Sequence, residues 1–289
     1  MRDRAVGYAM IAIAASGWGL WPLILKRAPM PATLQSAVVM LVVTLASLPL
    51  MIRDRVPVRA DRRAWLAVAW LGVSDAGNIA CFFGAYQRTS VAIAVLTHYL
   101  TPILVALLAP IALREKPSAR TFVAVAISFA GLVLLLEPWR AGLSREDFVG
   151  AALGSASAVF YSSNVLVNKR LVGVFSGSEL MFFHGLVTVP ILFLLVPRSE
   201  YGLVSGHALQ TVFLGALGPG ALSGLLFVWG LRRVAASHAS VLTLLEPFVA
   251  VILAALVLGE ALGAVPILGG ILIIVGALVV VTNAVPSRA

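Results

Sequence analysis

A single cysteine, Cys81, and twelve acidic residues are all that 289 residues hold of either kind. One thiol cannot close an intramolecular disulfide or supply a thiolate metal site by itself. Charged residues make up 11% of the chain, well under the ~25% that a soluble globular domain carries on average. His-Glu-x-x-His, Gly-x-Ser-x-Gly and a Walker-type loop ending in Lys are also missing, so zinc-peptidase, serine-hydrolase and ATP-driven chemistry find no support. No motif asks for a cofactor or a metal. No Lys or Arg lies buried in the middle of an apolar run, which argues against a fixed cation site for phosphate-bearing solutes.

What is present is apolar. The chain is 61% hydrophobic with a mean hydropathy of +1.02, the composition of an integral membrane protein. A hydrocarbon core of ~30 Å takes about 20 residues of helix. Ten runs reach that length, at about 5–26, 32–52, 64–86, 90–113, 119–137, 147–168, 178–197, 209–231, 238–258 and 264–284. The expectation is an all-α integral membrane protein of ten transmembrane helices. The first run reads through "GWGLWPLILKR" without a small-residue cleavage site, so it is expected to remain as a helix.

The net charge of +9 is placed at the ends of the runs, which suits a lipid bilayer and not nucleic acid. One set of alternate connections carries Arg2, Arg4, Arg53, Arg55, Arg59, Arg62, Arg63, Arg114, Lys116, Arg120, Lys169, Arg170, Arg232, Arg233 and Arg288. The other carries only Lys26, Arg27, Arg88, Arg140, Arg145 and Arg198. The positive-inside rule therefore puts both termini in the cytoplasm.

Two halves follow one plan. Residues 88–115, "RTSVAIAVLTHYLTPILVALLAPIALRE", align without a gap on 233–260, "RVAASHASVLTLLEPFVAVILAALVLGE". Arg88 falls on Arg233, Pro102 on Pro247 and Glu115 on Glu260. Residues 7–27 align likewise on 150–170, each opening on Gly and closing on Lys-Arg. Five spans per half is an odd number, so the second half, 146–289, enters the membrane opposite to the first, 1–145. Inverted repeats of this kind surround a midplane site in many secondary transporters.

Polar residues within the runs recur at helical spacing. Asp75, Asn78, Phe82 and Tyr86 share one face of the third span; His98, Tyr99, Thr101 and Pro102 cluster in the fourth; Tyr161, Asn164 and Asn168 share a face of the sixth. The repeat offsets put Trp18 and Trp21 on Tyr161 and Asn164, Asn78 on Ser223, and His98 and Thr101 on Thr243 and Glu246. Spans 1, 3, 4, 6, 8 and 9 are thus expected to enclose one polar, aromatic cavity. Glu246 sits mid-span in "LLEPF", where a carboxylate costs roughly 2.5–3.5 kcal/mol, so it should face water or a ligand. Ser, Thr and Asn also serve as helix glue, Trp18 and Trp21 as interfacial anchors, and His98 and His184 as satisfied packing residues. His207 and His238, at span ends, are expected to be solvated. Pro102 and Pro247 free the carbonyls of His98 and Thr243; "LGPGALSG", with Pro219, should kink the eighth span, and "LGVSDAGN" should loosen the third. Gly150 and Gly154, like Gly220 and Gly224, permit close helix contact.

On these motifs the chain resembles the drug/metabolite transporter superfamily, in the branch built of two EamA-like repeats, whose closing acidic motifs match Glu115 in "LREK" and Glu260 in "LGE". "HYLTP", 98–102, is similar to the Asn-Tyr-Leu-Trp-Pro segment of YddG-type aromatic amino-acid exporters, with His98 in place of Asn and Thr101 in place of Trp. The resemblance implies a basket-shaped, alternating-access exporter in the bacterial inner membrane. Its solute is expected to be an amino acid: Asp75, Glu246 and Asn78 suit an ammonium, Tyr99, His98 and Asn164 a carboxylate, and Trp18, Trp21, Tyr161 and Trp229 an apolar side chain. Two acids among aromatics would also suit drugs or cationic metabolites. An intramembrane enzyme using His and acid side chains is the remote alternative.

Overall fold

A computed structural model describes residues 2–28, 30–54, 60–140, 144–202, 204–259 and 262–282. Arg55, Arg59, Glu260 and Arg288 lie outside the described residues. Helices in order are α1 (Arg2–Trp18), α2 (Trp21–Arg27), α3 (Ala32–Arg53), α4 (Arg62–Tyr86), α5 (Val91–His98), α6 (Thr101–Ala112), α7 (Ala119–Leu136), α8 (Arg145–Leu171), α9 (Gly177–Leu195), α10 (Gly206–Gly215), α11 (Ser223–Leu231), α12 (Ala236–Leu242), α13 (Leu245–Leu258) and α14 (Ala264–Thr282). A π-helical turn, Ala216–Leu222, joins α10 to α11. No strand occurs among the described residues.

Eight helical segments among the described residues are long and apolar enough to cross a membrane, counting α5–α6, α10–α11 and α12–α13 as one each. The two expected spans outside that set are α1–α2 and α8. The first is interrupted at Gly19 and Leu20; Pro22, in the sequence, cannot donate to the Trp18 carbonyl. The 27 residues of α8 would extend about 40 Å, and charge sits at both ends, Arg145, Glu146 and Asp147 at one and Lys169 and Arg170 at the other. Helix starts are set by local chemistry. Asp61, Ser90, Ser118, Ser144, Ser176 and Ser205 each accept a backbone N–H of the first turn, and Ser144–Asp147 and Ser176–Glu179 form full capping boxes.

The spacing of elements repeats. Helices α3, α5 and α7 start at residues 32, 91 and 119, and α9, α12 and α14 at 177, 236 and 264, a constant interval of 145. The packing repeats with it: α4 lies on α8 as α11 lies on α1, α4 on α9 as the π turn on α3, and α7 pairs with α14 and α3 with α9. Small residues allow these approaches. A Cβ at Gly150 or Gly154 of α8 would collide with Thr89 or Thr97, the close contact that their spacing predicted.

"LGVSDAGN" does not loosen its span. Helix α4 runs unbroken through residues 71–78, because Gly72 is used for packing: a Cβ there would come within 2.5 Å of Val187 Cβ and 2.6 Å of the His184 carbonyl on α9. The expected kink in "LGPGALSG" is present as the π turn, where Pro219 lacks the N–H that an α-helical ladder needs.

Candidate functional site

The two helix breaks at α5–α6 and α12–α13 fall at equivalent places, and both proline-freed carbonyls accept a hydrogen bond within the protein. The Thr101 hydroxyl donates to the His98 carbonyl at 2.8 Å, and the Glu246 N–H donates to the Thr243 carbonyl at 3.0 Å. Each of these carbonyls thus has one of its two acceptor positions filled. Thr243 turns its own hydroxyl to the Ser240 carbonyl at 2.8 Å. The α1–α2 break closes against the start of α13, where a Cβ at Gly19 would stand 2.8 Å from the Glu246 carbonyl oxygen and from Val249 Cβ.

Beside these breaks His98 is the centre of an aromatic stack. Its ring lies 5.2 Å from Tyr161 at 12°, 4.2 Å from Phe82 and 5.1 Å from Tyr99 edge-on. Ser157 donates to Asn78 Oδ1 at 2.7 Å and so accepts from His98 Nδ1 at 2.8 Å, which fixes the proton on Nδ1. His98 Nδ1 is thus satisfied within the protein, and its ring is packed among aromatics. Ser157 was absent from the sequence reading, although it lies one turn before Tyr161 on the same face of α8.

Glu246 lies in the electrostatic reach of three tyrosines, Tyr86 from α4, Tyr99 from the α5–α6 break and Tyr161 from α8. Tyr99 is 2% exposed and its hydroxyl, buried with no hydrogen-bond partner, approaches the Glu246 carboxylate without closing a full bond. Glu246, Tyr86 and Tyr161 are half-buried.

A second polar group sits where α4, α8 and α9 meet. Asn164 Nδ2 donates to Asp75 Oδ1 at 3.2 Å, and the Ser74 hydroxyl, donating to Asn164 Oδ1, holds that amide in orientation. His184 Nε2 faces Asp75 Oδ2 at 3.6 Å, and His184 Nδ1 donates to the Leu180 carbonyl at 2.6 Å. One turn on, Asn168 donates to the Asn164 carbonyl at 3.0 Å and keeps a buried Oδ1 without a donor.

The other expected lining residues have packing contacts of their own. Trp18 packs on Phe227 at 5.3 Å. Trp21 covers Gly215 and Gly220 at the π turn, and Ser223 is buried against Gly17. Trp229 packs over Gly177 at the start of α9, two turns from Ser223, with Arg233 bonded to its carbonyl at 2.7 Å. Thr101 and Thr243 are wholly buried. His238 is half-buried at the edge of a cleft, and its ring bonds the Tyr8 hydroxyl at 2.7 Å and Thr121 at 3.2 Å. His207 is exposed, as expected.

At the end of the molecule that carries most of the basic residues, Glu115 accepts the Ala236 N–H at 2.9 Å. It thereby caps α12, whose own N-cap residue, Ala235, has no side-chain oxygen. Burial pushes the Glu115 carboxyl above its ordinary range, against the opposing pull of that N–H and of Lys169 at 3.9 Å. The Lys169 ammonium, with a side chain only 19% exposed, donates to the Leu231 and Val234 carbonyls at 2.8 and 2.6 Å. It qualifies the expectation that no buried cation exists, but all of its contacts hold the α11–α12 junction. Clefts of about 450 and 640 Å³ open beside this network and are lined by none of the residues around Glu246.

The profile of the EamA-like transporter family matches residues 5–137 and again 148–282. Among curated proteins, an "Uncharacterized transporter" of Archaeoglobus fulgidus is 29% identical over 81% of this chain and 81% of its own length. Another "Uncharacterized transporter", of Clostridium kluyveri, is 26% identical over 58% of this chain and 56% of that protein. A "Riboflavin transporter" of Vibrio cholerae is 31% identical over 39% of this chain and 35% of its own. A solved crystal structure at 20% identity superposes with a TM-score of 0.80 over 97% of this chain and 98% of that one, a likeness of fold alone.

Proposed function

Because this chain belongs to the EamA-like transporter family and is a multi-pass membrane protein, we propose that it is a secondary transporter exporting amino acids, aromatic and other neutral ones, by alternating access. Its ten spans form two inverted five-helix repeats, 1–145 and 146–289, in a bacterial inner membrane with both termini cytoplasmic. The constant interval of 145 between helix starts and the doubled family match support the repeat; the distribution of Lys and Arg supports the orientation.

The observation that carries the solute reading is the Glu246 carboxylate within electrostatic reach of Tyr86, Tyr99 and Tyr161, with the Tyr99 hydroxyl buried beside it and short of a full hydrogen bond. An ammonium there meets one negative charge and several aromatic faces. The Tyr99 hydroxyl is then available to donate to the ligand's carboxylate. Flat aromatic rings suit the His98–Tyr161–Phe82 stack as well, and the riboflavin transporter among the relatives motivates a second reading, a larger aromatic metabolite or drug.

A ligand that binds only the folded protein raises its Tm by mass action. Thermal unfolding of the purified protein with phenylalanine, leucine, tetraphenylphosphonium or riboflavin separates the readings. The amino acids should stabilise wild type and have no effect on Glu246→Gln. Stabilisation by the lipophilic cation or the flavin alone would replace amino-acid export with the second reading.

A further inference from the structure

We propose that Asp75 and His184 form a proton-binding site that holds α4 against α9 when loaded and lets them part when empty, so that transport is coupled to protons at a place separate from Glu246. The inference rests on the chain being a transporter and is independent of its solute.

The backbone fixes the chemistry. His184 Nδ1 faces the Leu180 carbonyl at 2.6 Å, and a carbonyl only accepts, so Nδ1 carries a proton. Nε2 of a neutral ring then presents a lone pair. That lone pair faces Asp75 Oδ2 at 3.6 Å, while Oδ1 is engaged by Asn164 Nδ2 at 3.2 Å. A carboxylate and an imidazole lone pair repel; one further proton, on either atom, converts the contact to attraction. The arrangement therefore stores one proton between two helices. Both groups are largely buried, with side chains 19% and 8% exposed, and water offers little compensation.

The surroundings contain little else that could supply that charge. From α8 the pair meets Asn164 and, more distantly, Tyr161; α4 itself adds Ser74. Helix α3, packed on α9, brings Thr44 against Gly185. Glu179 of α9 is turned to the Ser176 N–H in its capping box. In the same contact zone Gly72 packs directly against Val187 and the His184 carbonyl, and the Thr188 hydroxyl crosses to the Gly72 carbonyl at 3.0 Å. Losing the proton acts on that junction, and the helices linked there belong to different halves of the chain.

The test needs no solute. Nitroxides placed at Leu66 on α4 and Leu186 on α9, both exposed, in a Cys81→Ala background, report the separation by pulsed dipolar spectroscopy in lipid nanodiscs. The measurement spans the histidine range, about pH 5 to pH 8. Wild type should show one short distance in acid and a second, longer population that at least doubles toward the alkaline limit. In Asp75→Asn the amide can donate to His184 Nε2 at every pH, and in His184→Gln the amide can donate to Asp75, so both should keep the short distance throughout. A wild-type distribution that ignores pH overturns the proposal, as does a pH response retained in either variant. Failure of amino-acid uptake with this pH response intact would count against the solute reading and leave the proton site standing.

Discussion

At the scale of single residues, the contrast between Tyr99 and His98 is instructive. His98 has its hydrogen bond to Ser157 and its stacking partners, whereas the neighbouring Tyr99 hydroxyl is buried and unpaired. A buried polar group without a partner costs roughly 1–3 kcal/mol, so Tyr99→Phe should leave thermal stability equal or higher. The same variant should slow transport several-fold, because the hydroxyl lost is the one poised beside Glu246. Asn78→Ala should reduce transport too, since it removes the acceptor that orients Ser157 and, through it, His98. Leu108→Ile, at an exposed position on α6, should change nothing measurable in initial rate or Tm. Normal transport in all three purified variants would refute the polar-face reading. Periodicity placed Asp75, Asn78, Tyr86 and Tyr161 on converging faces; it could not show that His184 reaches Asp75, because that partner lies 109 positions away on another helix.

Among elements, the interruptions decide the architecture, and most were legible. Pro102 and Pro247 marked the α5–α6 and α12–α13 breaks, and Gly-Pro-Gly marked the π turn. The "LGVSDAGN" reading failed because a glycine that loosens a helix and one that admits a neighbour look alike in sequence. Glu115 shows the complementary limit: its acidic motif was plain, its use as a cap for α12 in the other half was not. Losing a cap costs roughly 0.5–2 kcal/mol, so Glu115→Ala should lower Tm by several degrees while Glu115→Gln, which keeps an acceptor, should stay near wild type. The pH dependence has a definite sign. Burial raises the folded carboxyl above its unfolded value near 4.3, so its contribution is fully present below that pH and is lost as pH rises through the folded value. Thermal scans should show wild type losing ground to Glu115→Gln as pH is raised from 4 toward neutral.

For the whole molecule, hydropathy and charge placement gave span positions that agree with the helices to within a few residues, while the membrane orientation rests on the basic loops alone. Cysteines at Asp61 and Ser205, the exposed starts of α4 and α10, should therefore react with an impermeant maleimide from opposite faces of the membrane; labelling from one face would break the inverted arrangement. The pairing of α4 with α8 and of α1 with α11 ties residues 1–145 to residues 146–289, the two units that the proposed alternating access would move. The proposed site is at Glu246, within electrostatic reach of Tyr86, Tyr99 and Tyr161. Its most direct test is the initial rate of uptake of labelled neutral amino acids into proteoliposomes, with and without a pH gradient, for wild type and Glu246→Gln side by side. The account predicts gradient-stimulated uptake by wild type and a Glu246→Gln protein that folds but transports at least about tenfold more slowly, equivalent to roughly 1.4 kcal/mol of lost interaction. Equal rates and equal pH profiles for the two proteins would contradict it.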